Sequence, residues 1–225
     1  MKADFNKKEQ QKVWNAIAEG WSGWRNKARI DVIQFSKGWK LGRLLDIGCG
    51  SGRNLAYFAQ NNFDVYGIDF SENMVKQARE NFKKTGLEIK DAKKKERIQT
   101  ADMTDIPFSN KQFDYCISIA SLHHLPRERQ AQGIEEIRRV MKDGGECVIS
   151  VWNKHSFKRP GFWFSPKETF VVWKRKEGGA LKLHKRYYYL FSYPEFKKLI
   201  LSSGFKIKKS SGRFEENITF LIKKE

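Results

Sequence analysis

The chain has 225 residues, 40% of them hydrophobic, with 7 Trp and 17 Phe, which excludes an intrinsically disordered chain and suffices for one domain with a substantial core. Lys and Arg number 44 against 26 Asp and Glu, and a net charge of +18 favours a polyanionic partner, nucleic acid or an anionic membrane surface. The apolar runs are only strand-length, the N-terminus MKADFNKKEQQKVW lacks a signal-peptide core, and Cys49, Cys116 and Cys147 form no CxxC pair, so a soluble cytoplasmic protein without membrane span, disulfides or metal site is expected.

In chain order, residues 5–19 read as an amphipathic helix with Val13, Trp14 and Ile17 on one face. Strand and helix patterns then alternate: strand 43–48 (RLLDIG), helix 53–61, strand 64–69 (DVYGID), helix 72–84, a short strand 97–102 (RIQTAD) and strand 113–120 (FDYCISIA). A helix from about 128 to 141 leads into a Gly144-Gly145 turn and strand 146–153 (ECVISVWN). Alternating βαβ units predict a parallel sheet with helices on both faces. An aromatic and basic stretch follows, then a helix over 193–203 and two alternating runs, 205–211 and 217–224, that suit an antiparallel hairpin. The fold class is thus α/β, a doubly wound, mostly parallel seven-stranded sheet ending in an antiparallel hairpin. As one domain it divides into a helical cap (1–40), a core (41–153), an aromatic and basic insertion (154–192) and the C-terminal helix and hairpin (193–225). The basic segment 87–97 reads as a solvated loop or helix end.

The stretch LLDIGCGSGRNL (44–55) is a strand running through a glycine-rich turn into a helix, in which Gly48, Gly50 and Gly52 let the backbone turn tightly and approach a ligand. Asp69, ending the next strand 21 positions beyond Gly48, suits a carboxylate that accepts hydrogen bonds from two ribose hydroxyls. Asp46 adds negative charge where a dinucleotide would put pyrophosphate, and suits instead a ligand bearing an ammonium and a sulfonium.

With GIDFSENMVKQAR, ADMTDIPF and FDYCISIASLHHL, this loop resembles the class I S-adenosylmethionine-dependent methyltransferases over residues 40–153. The resemblance implies a Rossmann-like fold and S-adenosylmethionine as cofactor. It puts the glycine loop (Asp46, Gly48, Cys49, Gly50) under the methionine portion, Asp69 and Phe70 at the ribose, Asp102 and Met103 at the adenine, and Ala120 after the fourth strand. His123 and His124 then stand at the cleft, because ligands of open α/β sheets bind outside the carboxyl ends of the strands. On an extended segment their side chains diverge, one facing the pocket and the other packing locally, which disfavours a shared metal.

The flanks VWNAIAEGWSGWRNKAR, SVWN, TFVVWKRK and KRYYYLFSYPEF extend the resemblance to the methyltransferases that esterify the carboxymethyl group of a wobble uridine in tRNA. That likeness implies a substrate end formed by Arg25, His124, Trp152, Arg186 and Tyr187, a tRNA partner, and a small zinc-binding activator protein. Where that family has proline-tryptophan this chain has Ala28-Arg29, and where it has a histidine in the tyrosine block this chain has Tyr189. Trp152, Trp173, Tyr187 and Tyr188 offer stacking faces for an unpaired base, and Lys174, Arg175, Lys176, Lys182 and Lys185 offer phosphate contacts among them. Two other readings stay open: a small-molecule methyltransferase, for which the charge has no role, and a non-catalytic RNA-binding subunit, for which the intact glycine loop and Asp69 have none.

Overall fold

Alternate residues of a strand point to opposite faces of its sheet, so a strand covered by helices on both sides is apolar on both faces over most of its length. β1 (Arg43–Ile47) is such a strand: Leu45 and Ile47 join the core under α5 (Gln130–Val140), while Leu44 joins the core under α3 (Arg53–Gln60) and α4 (Glu72–Lys83). In this computed structural model, which describes residues 4–23, 27–84, 86, 96–177 and 180–225, β1 pairs in parallel with β2 (Asp64–Asp69) and β4 (Phe113–Ile119). β3 (Ile98–Thr100) and β5 (Met141–Trp152) extend the parallel set. β8 (Phe205–Ser210) and β9 (Asn217–Lys224) complete the order β3-β2-β1-β4-β5-β9-β8, with β9 antiparallel to both neighbours. α6 (Tyr193–Ser202) packs Phe196 on Phe220 of β9 as stacked rings 5.1 Å apart.

Three local expectations are corrected. The glycine pair expected to make a turn lies inside β5: Gly144 takes φ 77°, the ladder to β4 shifts register between Phe113 and Tyr115, and a Cβ on Gly145 would meet two carbonyl oxygens at 2.9 Å. Glycine there permits a strand irregularity rather than a chain reversal. A short helix, α2 (Ile30–Phe35), buries Val32 and Phe35 where no element was expected.

The third correction matters most for function. The insertion contains a ten-residue-per-strand hairpin, β6 (Glu168–Glu177) and β7 (Ala180–Tyr189), paired from Glu168–Tyr189 to Glu177–Ala180 as a separate sheet. It is held against α1 (Lys7–Gly23) by Gln10, whose side-chain amide donates to the Lys185 carbonyl (3.1 Å) and accepts from the Tyr187 N–H (2.8 Å). One buried glutamine thus stands in for a strand at the edge of β7. The helix and hairpin together roof the carboxyl ends of the parallel strands.

Candidate active site

Beneath that roof is a cavity whose floor is the glycine loop. Gly48 and Cys49 both donate to the Ile68 carbonyl (2.8 and 2.9 Å), which folds the loop over the end of β2. A Cβ on Gly48, at φ 76°, would lie 2.2 Å from the Ser121 hydroxyl, so no other residue fits. At Gly50, φ 54°, a Cβ would point into open cavity, with Trp21 Nε1 the nearest atom at 4.0 Å.

Asp69 closes β2 with Oδ2 accepting from Gly50 N–H and Oδ1 from Ser71 N–H, both at 2.9 Å. Burial raises its carboxyl to about 6, opposed by those hydrogen bonds. Each oxygen keeps a lone pair for a further donor. Asp46 is 1% exposed and its Oδ2 has no hydrogen-bond partner among the described residues; burial raises its carboxyl to about 8, with Arg53 opposing and Asp69 adding to the rise. Asp102 lies past the end of β3 and accepts from Lys7 (2.6 Å), Arg129 (3.3 Å) and Thr104. Burial would raise its carboxyl, but the bonds from Lys7 and Thr104 outweigh it and hold it below the ordinary range. Cys49, Phe70, Met103 and Ala120 also line the cavity, and burial keeps the Cys49 thiol protonated. Ala120 holds φ 56°, unusual for a residue with a side chain, while its N–H donates to the Ser150 carbonyl at 2.9 Å.

The histidines depart from expectation. Leu122–His124 form a 3₁₀ turn, not an extended segment, so both imidazoles line the cavity and touch each other edge to face, 4.5 Å apart. His123 Nδ1 accepts from the Trp152 N–H (2.9 Å), which puts its proton on Nε2, an atom without a partner among the described residues. His124 Nδ1 lies 3.0 Å from the Tyr187 carbonyl, which can only accept, so that ring carries its proton on Nδ1. Burial lowers His124 to about 4, and burial with nearby His124, Arg159 and Arg186 lowers His123 well below the imidazole range. Both are neutral at physiological pH.

Arg186 is 5% exposed, and its guanidinium lies 5.3–5.8 Å from the ring centroids of Trp14, Trp21, Trp173 and Tyr188. It donates to the Tyr188 hydroxyl (2.8 Å), its Nε is unpartnered, and no carboxylate lies within ion-pair distance among the described residues. Trp14, Trp21 and Tyr188 line the cavity and Arg186 stands behind them. Trp152 lines it too, stacked on Tyr188 at 4.1 Å. Strand alternation turns the Tyr187 ring the other way, against Phe5 and Phe170, so Tyr187 meets the site through its carbonyl on His124.

The candidate RNA-binding cations divide by the same alternation. Lys174 and Lys185 share the outer face of the hairpin; Arg175 and Lys182 are cross-strand partners on the inner face, where Arg175 pairs with Glu19 (2.9 Å). Arg25, residues 87–95 and the Lys176 side chain lie outside the described residues. Among described residues no cluster of His, Cys, Asp and Glu could hold a metal, and no helix is long and apolar enough to cross a membrane. The sequence reading missed Lys7, Gln10 and Trp21 as cavity residues, although with Trp14 they recur at 7, 10, 14 and 21, one helical face.

The donor set fits S-adenosylmethionine. The spare acceptors of Asp69 ask for hydroxyl donors, and the open space at Gly50 admits a ligand against the backbone; Asp46, expected beside the ligand, is buried and does not line the cavity.

Comparison with known proteins agrees. A methyltransferase-domain family matches residues 45–149. The tRNA (carboxymethyluridine(34)-5-O)-methyltransferase of Schizosaccharomyces pombe is 28% identical over 228 residues, 91% of either chain. Its counterpart in Saccharomyces cerevisiae is 32% identical over 74% of this chain, which spans only 57% of that protein. Among solved structures, the 1,6-didemethyltoxoflavin-N1-methyltransferase of Burkholderia thailandensis, solved with S-adenosylhomocysteine, superposes with a TM-score of 0.67 at 16% identity, covering 100% of this chain and 93% of that one. Fold, glycine loop and relatives together make this chain a class I S-adenosylmethionine-dependent methyltransferase.

Proposed function

We propose that the enzyme methylates the carboxylate of a carboxymethyl group on the wobble uridine of tRNA. The observation that carries the reading is Arg186, a buried guanidinium without a carboxylate partner among the described residues, caged by rings of which Trp14, Trp21 and Tyr188 line the cavity. Burying an uncompensated cation is costly, and an anionic substrate relieves that cost. The names of the relatives and the +18 charge support the same substrate.

The bound donor supplies an electrophilic methyl group on a sulfonium. A carboxylate with a pKa near ~4 is already ionised at neutral pH, so the protein needs no general base. The residues then have to orient the carboxylate in line and exclude water. Neutral His123 can offer its Nε2–H, unpartnered among the described residues, as a hydrogen bond without adding charge that would hold the nucleophile back, whereas His124 spends its one N–H on the Tyr187 carbonyl. Trp152 and Tyr188, stacked on each other at 4.1 Å, give the uracil a flat aromatic wall of the cavity. Lys174, Arg175, Lys182 and Lys185 take tRNA phosphates, and Arg186, behind the ring wall, acts on the carboxylate through its charge and through the Tyr188 hydroxyl that it holds. β3, the last strand of the sheet order, is the docking edge for a small zinc-binding activator.

Nucleoside mass spectrometry of tRNA incubated with the protein and methyl-labelled donor tests this. A labelled ester on the wobble uridine, released by mild base, is expected; label in a small acid but none in tRNA overturns it.

A further inference from the structure

The loops beside the cavity carry an aromatic cluster that methyl transfer does not use. Phe157 is 67% exposed, Phe164 94%, Phe214 44% and Trp163 37%. The Phe157 ring lies nearly parallel to Phe214 (4.8 Å, 25°) and to Trp163 (5.8 Å, 21°), so three rings form a short stack open to solvent. The stack is built rather than accidental. Trp163 Nε1 donates to the Ser156 carbonyl (3.1 Å), and the buried Asn153 amide donates to the Arg213 and Glu215 carbonyls (3.0 Å each), tying the two loops together.

This cluster continues the cavity wall. From Trp152, which lines the cavity, the Phe162 ring stacks outward at 5.6 Å and the Arg159 guanidinium lies over the indole at 4.1 Å. Both belong to the loop that carries Phe157, Trp163 and Phe164. Arg159 is paired with Glu216, but Lys158 and Arg213, next in sequence to Phe157 and Phe214, are exposed, as is Glu215. Exposed rings flanked by cations match unpaired nucleic-acid bases on a phosphate backbone, and a dry protein partner would leave those cations buried.

We propose that Phe157, Phe214 and Trp163 form a second RNA-contact surface, on which the single-stranded nucleotides flanking the target base stack as it enters the cavity. This rests on the RNA substrate proposed above. It differs from the lysine-bearing hairpin in kind: it grips bases, not phosphates.

Binding of a labelled RNA stem-loop, followed by fluorescence anisotropy, tests it with Phe157→Leu and Phe214→Leu. These keep apolar volume and remove the ring face, and S-adenosylhomocysteine binding serves as the folding control. Affinity for the intact loop should fall about tenfold per ring, with the salt slope unchanged, while the same stem-loop with abasic loop positions should bind wild type and variants alike. Unchanged affinity in both variants overturns the proposal, as does equal loss on both probes. Altered self-association in sedimentation with unchanged RNA affinity also overturns it, making the patch a contact between copies of this chain. The substrate reading fails separately: weakened variants with no ester on wobble uridine would leave this surface standing and remove only that assignment.

Discussion

Asp46 is buried at the end of β1 with its carboxyl raised to about 8, mainly by desolvation, so at neutral pH the free protein holds a proton there that the unfolded chain releases near ~4. Because the native state binds the extra proton, Asp46 lowers stability progressively as pH rises from about 4 to about 8. In Asp46→Asn the thermal midpoint should fall less between about pH 5 and 9 than in wild type, measured by scanning fluorimetry without donor; parallel curves would mean the carboxylate stays ionised throughout. Asp69 works differently, since its oxygens are already tied to Gly50 and Ser71 and keep acceptors for a ligand. Asp69→Ala should weaken S-adenosylhomocysteine binding by about 1.5–3 kcal/mol in calorimetry, and unchanged affinity would refute the ribose assignment. The neutral histidines set a further expectation. With His124 lowered to about 4 and His123 well below the imidazole range, both by burial, the single-turnover rate should show no histidine inflection between about pH 5.5 and 7.5.

Gln10 supplies both hydrogen bonds between α1 and the backbone of β7 described above. Gln10→Leu leaves the Tyr187 N–H and the Lys185 carbonyl without their partner in a buried setting, which should cost about 1–3 kcal/mol of stability in urea unfolding. It should also loosen the roof over the cavity, raising KM for donor and RNA together. The parallel core was legible beforehand because β1, β2, β4 and β5 are covered on both faces and therefore carry short, mostly apolar stretches between turn signals. The hairpin was not, because both of its faces mix apolar and basic residues: Phe170 and Val172 outward beside Lys174, Val171 and Trp173 inward beside Arg175. No clean period of two survives that mixture. The site divides in the same way. Gly48, Gly50, Asp69 and Asp102 follow from strand-end motifs, whereas the 3₁₀ turn that brings both histidines inward is too short to leave a periodic signal. Tyr187 and Tyr188 are adjacent and aromatic, and only the register of β7 decides which ring faces the cavity.

On the function proposed above, the molecule's positive charge would have two uses. Arg186 is buried behind the cavity wall, while Lys174 and Lys185 stand exposed on the outer face of the same hairpin and Lys182 on its inner face. An exposed lysine that meets a phosphate releases condensed counterions, so its loss weakens RNA binding and lowers the salt slope by roughly 0.7–0.9 per contact. A buried guanidinium that orients the carboxylate acts only once substrate and donor are both in place. The triple variant Lys174→Ala, Lys182→Ala, Lys185→Ala should therefore bind tRNA more weakly, with a shallower salt dependence, and keep its single-turnover rate at saturating tRNA. Arg186→Ala should leave the salt slope nearly unchanged and slow methyl transfer at saturation by about 10²-fold, in keeping with misplacement of a reacting group. Arg186→Lys tests geometry separately from charge. A lysine keeps the cation but loses the planar fork that lies among Trp14, Trp21, Trp173 and Tyr188, so it should restore little of the rate. A normal single-turnover rate for Arg186→Ala, measured by rapid quench with labelled donor, would reduce Arg186 to a packing role between helix and hairpin.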